Sequence, residues 1–165
     1  MHGTDFTSGK SRKMEALEFD REFNRLANHP EVRKMRLYSQ HGTSNSYAHS
    51  VRVALASKKA AEKLSIPVNG KALAAGAMLH DFYLYDIEES RLSAWQHGTR
   101  HPKVSLENAK SMFDLTEKEC NIIYSHMWPL TLTCIPKSRE AWLVCMADKM
   151  CALEEMMNRF AKQKR

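Results

Sequence analysis

No apolar run in the 165 residues approaches the ~18–20 that a membrane span requires, and the opening stretch MHGTDFTSGKSRK has no apolar centre of the kind a secretory leader carries. Neither membrane insertion nor secretion is expected. The four cysteines, Cys120, Cys134, Cys145 and Cys151, include no C-x-x-C pair, and three of them fall in segments that read as helix. Reduced core thiols in a cytoplasmic protein are the expectation. There is no G-x-S-x-G elbow, no P-loop and no glycine-rich phosphate cradle, so no protein nucleophile is evident. Repeats, low-complexity tracts and convincing period-two alternation are also absent.

The formal charge of +6 raises the question of an acidic partner, but its location answers it. Residues 1–40 carry +2, residues 41–157 are neutral, and the last eight residues carry +4 through Arg159, Lys162, Lys164 and Arg165. A basic helix end suits the negative pole of the helix dipole. Binding to a nucleic-acid polymer is not expected.

What is present is an ordinary globular composition, 43% hydrophobic and 27% charged, at a length close to one domain. The pattern predicts helices over 15–27, closed by Pro30, and over 47–64, stopped before Pro67. Further helices are predicted over 70–80, from Pro102 to about Phe113, from a Thr116/Glu119 capping box to about Met127, and from a Ser138 cap to about Ala161. The segment DFYLYDIEES reads as loop. The expected fold is all-α: a flexible segment over 1–13, then one compact bundle of about six helices over 14–165.

Certain polar residues fall on faces that should be buried. His49 begins the stripe His49, Val53, Ala56, Ala60, Leu64, and Leu73, Ala77 and His80 line up on the next helix, with Asp81 directly after. His126 lies one turn beyond Ile122, and Asp148 shares a stripe with Ala141, Cys145 and Ala152. A buried carboxylate needs a partner, and no lysine or arginine shares that face. Each residue alone is more simply a hydrogen-bonded core residue. A metal site satisfies all of them together.

At these positions the chain resembles the HD-domain superfamily of metal-dependent phosphohydrolases. His49 in YAHSVRVA, His80-Asp81 in GAMLHDF and Asp148 in LVCMADKMCAL match its H…HD…D signature, over about residues 41–157. With His101 and His126 the order resembles the six-ligand subset that holds a binuclear metal centre. The resemblance implies that Asp81 bridges two ions, that His49, His80 and Asp148 complete one site, and that His101 and His126 hold the second. His80, Asp81 and Asp148 would then be the catalytic centre. Imidazole and carboxylate ligands suit divalent Fe, Mn, Co, Ni or Zn.

Two dications against two aspartates would leave an electropositive pocket suited to a small anionic, phosphate-containing substrate, such as a nucleotide, and to water activation for hydrolysis. Arg100, Lys103, Lys149 and Arg52 are candidate phosphate contacts. His41 and His97 could act as donors or acids, although surface-loop roles fit both. Asp86 could be a leaving-group acid or support a ligand, and Trp128 could wall the pocket, although aromatic packing explains it as well.

The sequence departs from several binuclear relatives. Tyr83 and Leu84 stand where those carry the Gly-Lys of HDxGK, and no GYP motif follows, which disfavours cyclic-dinucleotide cleavage. Glu88-Glu89 only loosely echoes the downstream Glu-Asp pair of the (p)ppGpp hydrolases. The main rival is a mixed-valent di-iron oxygenase using the same cage, and a third reading is a binding module that keeps the cage for structure.

Overall fold

The computed structural model describes residues 5–39, 44–87 and 90–163, which form seven α-helices, one 3-10 turn and no strand. These are α1 (Asp5–Ala27), α2 (Pro30–Arg33) running into the 3-10 turn Lys34–Leu37, α3 (Ser46–Lys63), α4 (Gly70–Leu79), α5 (Ala94–Met112), α6 (Glu117–Ser125) and α7 (Arg139–Gln163). The all-α expectation holds. The single-turn α2, with Pro30 as its first residue, raises the count above six.

The arrangement is organised around α4, GKALAAGAML, which touches α1, α3, α5, α6 and α7. Every residue of it except Lys71 is buried, as expected of a helix apolar all round. Its small side chains let the neighbours come close. A Cβ on Gly70 would lie 1.9 Å from the Glu15 carbonyl oxygen of α1, and one on Gly76 would lie 2.3 Å from Ile122 Cγ2 of α6. Asn69 caps the helix through its side-chain oxygen, which accepts from Ala72 N at 2.8 Å.

Several boundaries differ from the sequence expectation. α1 begins at Asp5, so residues 5–13, expected to be flexible, are helical. Their sequence has no apolar stripe to reveal this, and they extend a helix whose nucleus is docked through Phe19 and Leu26. α5 begins at a Ser93/Gln96 capping box, nine residues before Pro102, which therefore sits inside the helix. A proline inside a helix removes only one intrahelical hydrogen bond, so it misleads as a start signal when a capping box precedes it. α6 ends at Ser125, and His126 is its C-cap.

On α3 the buried residues are Ser46, His49, Ser50, Val53, Ala54, Ser57 and Ala61 rather than the stripe through Ala56, Ala60 and Leu64. Leu64 is 65% exposed. Serines read as solvent-facing, yet Ser46, Ser50 and Ser57 are buried here. The remaining boundaries, the Thr116/Glu119 capping box and the Ser138 cap, which accepts from Ala141 N at 3.1 Å, are as expected. Among the described residues no helix is long and apolar enough to cross a membrane.

The α1–α4 contact yields a paired prediction. Gly70→Ala should cost about 1–3 kcal/mol, because its Cβ meets backbone that cannot give way. Gly9→Ala, whose Cβ meets nothing within 4 Å on α1, should gain about 0.5–1 kcal/mol from helix propensity. Urea unfolding midpoints of the two variants check this; equal shifts would refute the close approach.

Candidate metal centre

Five helices bring the six predicted ligands to one buried point. His49 stands near the start of α3, His80-Asp81 at the C-terminal end of α4, His101 inside α5, His126 at the C-terminal end of α6 and Asp148 inside α7. The two oxygens of Asp81 face different histidines. Oδ2 lies 3.4 Å from His80 Nε2 and 3.9 Å from His49 Nε2, while Oδ1 lies 3.1 Å from His101 Nε2 and 3.6 Å from His126 Nε2. Asp148 Oδ1 closes the first set, 3.0 Å from His49 Nε2 and 3.6 Å from His80 Nε2. Asp81 thus belongs to two triads of potential ligand atoms, one with His49 and His80 and one with His101 and His126.

The backbone decides which nitrogen each histidine offers. Nδ1 of His80 lies 2.7 Å from Ala77 O, Nδ1 of His126 2.7 Å from Ile123 O, and Nδ1 of His101 2.9 Å from His97 O. A carbonyl only accepts, so each Nδ1 donates, and each neutral ring turns the lone pair of Nε2 toward the centre. For His80 and His126 the acceptor is a last-turn carbonyl that a helix end leaves without an intrahelical partner. The negative ends of the α4 and α6 dipoles therefore converge on the same spot, which favours a cation there.

These contacts test whether a metal fits. His101 Nε2 and His126 Nε2 stand 2.8 Å apart, so two neutral rings with protonated Nδ1 would face each other lone pair to lone pair. His80 Nε2 is fully buried and makes no hydrogen bond. A buried nitrogen without a partner is costly, and a cation shared by these nitrogens and carboxylates relieves both conflicts. The donor set fits a divalent transition metal, which His49, His80, Asp81, His101, His126 and Asp148 would hold.

Protons respond to the same field. Burial works against a charge on His49, but the hydrogen bonds to Asp148 and Glu155 hold its pKa up to about 9. His80 is raised despite complete burial, chiefly by the charge of Asp81. Burial also opposes ionisation of Asp148 and Asp81, yet the hydrogen bond to His49 and the nearby charge of His80 hold Asp148 well below the usual carboxylate range, and His80 and His101 do the same for Asp81. His126 is pushed down to about 3 by burial and by the neighbouring His80 and His101, so it is neutral and ready to ligate.

Residues beyond the cage fix it in place. Glu155 Oε1 accepts from His49 Nδ1 at 2.8 Å and also pairs with Arg52. It lies two turns after Asp148 on the same face of α7, so continuing the stripe from Asp148 would have found it. Asn108 Nδ2 of α5 donates to Phe82 O at 3.0 Å and Tyr83 O at 3.1 Å, tying down the chain just after Asp81. No sequence signal marks that asparagine. His97 is buried on α5, correcting the surface-loop reading; its ring stacks on His101 with centroids 4.6 Å apart, and Nδ1 meets Tyr85 Oη at 2.9 Å. Tyr83 bonds Ser46 Oγ at 2.8 Å, and burial together with the charge of Asp81 keeps its phenol neutral.

The candidate phosphate contacts separate. Arg52 pairs with Glu155 beside His49, with nearly half of its side chain exposed. Arg100 is exposed on α5, near enough to Tyr85 to act on its phenol. Lys103 points away, 69% exposed and 3.8 Å from Glu107. Lys149 Nζ turns to His126 O at 2.8 Å and to Cys145 O and Sγ, both at 3.3 Å. Trp128 packs edge-on against Trp142 at 5.0 Å, Asp86 lies on the loop near Tyr83, and His41 and Glu88-Glu89 fall outside the described residues.

Two outcomes follow for ligation. A metal must displace the proton that His49 retains up to about 9, so affinity should tighten from about pH 6 to pH 9 with proton release on binding, read by competition titration at several pH values. Glu155→Gln, which removes the carboxylate holding His49 Nδ1, should weaken metal affinity about 10–100-fold in the same assay.

Neither the curated proteins nor the solved structures contain a match to the chain. The family model for the HD domain matches residues 46–153, well over half of the chain and the whole span from His49 to Asp148. With a histidine–aspartate cluster compatible with that signature, the chain belongs to the HD-domain family, within the superfamily of metal-dependent phosphohydrolases.

Proposed function

We propose that this protein is a hydrolase that holds two divalent transition-metal ions and cleaves a phosphate ester or anhydride of a small anionic molecule, a nucleotide among the candidates. The observation that carries this reading is the division of Asp81, whose Oδ2 serves the His49/His80 side and whose Oδ1 serves the His101/His126 side. A carboxylate placed this way suits a bridge between two ions. Bound there, the metals would supply Lewis-acid polarisation of a phosphoryl oxygen and a water acidified toward neutrality.

The chain's own residues then have distinct tasks. Hydrogen bonds to carbonyls hold three imidazoles with Nε2 inward, and Glu155 does the same for His49. Among the described residues no side chain near the cage is a ready nucleophile. Burial pushes the Cys145 thiol up and the Cys151 thiol up to about 11, and Tyr83 stays protonated. Attack by water rather than by the protein fits that chemistry. Arg52 and Arg100 are the cations best placed to meet phosphate oxygens, since Lys149 and Lys103 are turned elsewhere. The four free cysteines suit a reducing, cytoplasmic setting.

Elemental analysis of protein purified without chelators should find close to two metals per chain. His126→Ala should retain about one, and Asp81→Ala should lose both, together with phosphate release from a panel of phosphate esters under anaerobic Mn or Co. Purified protein that carries no metal would refute the assignment. Turnover that requires O₂ and releases no phosphate would replace hydrolysis with the oxygenase reading.

A further inference from the structure

The core accounts for only one face of α7. On another face Leu143, Met146, Met150, Leu153, Met157 and Phe160 follow one another at alternating spacings of three and four, the seam of a coiled coil. Leu143 is half-buried, but Met146, Met150, Leu153, Met157 and Phe160 are 53–62% exposed. The seam runs about 26 Å along the helix at 1.5 Å per residue. Past Glu155 the helix leaves the body: Met156 to Ala161 are each exposed, so no described part of the chain packs on this arm.

Beside the other end of the seam lies an apolar groove of about 530 Å³ between α3 and α7. Ala56, Ala60 and Leu64 line one wall and Trp142, Leu143 and Met146 the other. Of these α3 residues, Ala56 and Ala60 are only partly covered by the core and Leu64 is largely exposed.

We propose that two copies of this chain pair through α7 in antiparallel orientation, each laying its C-terminal arm into the groove of the other. The occupant follows from the register. The seam reads the same in both directions about a point between Met150 and Leu153. Leu143 meets Phe160 of the partner copy, Met146 meets Met157, and Met150 meets Leu153, so every apolar position finds an apolar one in a closed, two-fold contact. Taking about 200 Å² for a large apolar side chain, the exposed fractions of the seam, Trp142 and Leu64 amount to roughly 800 Å². This equals the share per partner of a standard stable interface, about 800 Å², and exceeds the ~300–600 Å² of the largest patch on a typical monomer. No charged residue lies on the seam, as a buried interface core requires. The inference is independent of the metals and of the reaction.

Light scattering or sedimentation equilibrium on the full chain at about 1–50 µM should give twice the 19.0 kDa chain mass. Met146→Lys alone and Met157→Glu alone should each raise the dimer dissociation constant on the order of a hundredfold, since each buries an unpaired charge twice per dimer. Both positions are exposed in the single chain, so circular dichroism should show an unchanged helix content. The double variant Met146→Lys/Met157→Glu should recover the dimer, because antiparallel pairing sets the new ammonium against the new carboxylate in both layers. Parallel pairing would set like charges together and leave the double variant monomeric, which overturns the proposal. A wild-type monomer at 50 µM, or a dimer indifferent to either single substitution, overturns it as well.

Discussion

The buried carboxylate of Asp81, set among four imidazoles, is the constraint that the rest of the structure accommodates. Removing two aspartates and four histidines from water is costly, and mutual protonation can repay it only in part. The opposing shifts at this centre show the difficulty: His49 is held protonated up to about 9 while His126, one histidine away, is driven down to about 3. A divalent cation satisfies the same groups without sharing protons among them. Helix placement follows from that need. α4 is apolar all round and reaches the centre only by being packed on every side, which makes alanine and glycine along its length as necessary as the histidine at its end.

Support for the cage comes from helix ends as much as from side chains. α4 and α6 each stop at a histidine of the cage, and each histidine satisfies a carbonyl that its own terminating helix leaves open. One bond therefore serves local structure and ligand orientation. α7 divides its labour by face: Asp148 and Glu155 point inward to the cage, while the methionine-rich face points away from it.

Much of this was legible in the sequence, for identifiable reasons. The HD doublet stood out because a charged residue at the end of an apolar helix has no solvent to reach, and Asp148 because it interrupts an apolar stripe. The helices over α3, α4, α6 and α7 were readable from periodicity, from the Thr116 and Ser138 caps and from the prolines that stop them. What escaped notice depends on proximity in space. Asn108 looks like any polar helix residue until α5 crosses the loop after Asp81, and the burial of His97 depends on a helix start that Pro102 obscured. The true inner face of α3 was hidden because it includes Ser50 and Ser57, small polar residues that are buried although hydropathy places them outside. Lys103 lies two residues after His101 and Lys149 directly after Asp148, but side chains one and two residues apart on a helix point about 100° and 200° apart, so closeness in sequence carried little information about reach.

The hydrogen bonds of the imidazoles to carbonyls have a consequence for how this centre can change over generations. Three of the four histidines take their orientation from main-chain oxygens, which no side-chain substitution removes. Their geometry is thus inherited with the fold itself and is buffered against point mutation. His49 alone leans on a side chain, Glu155, and through it on Arg52. Variation in ligand strength is therefore concentrated at that one pair, the place where evolution or a designer could tune the site without rebuilding the bundle.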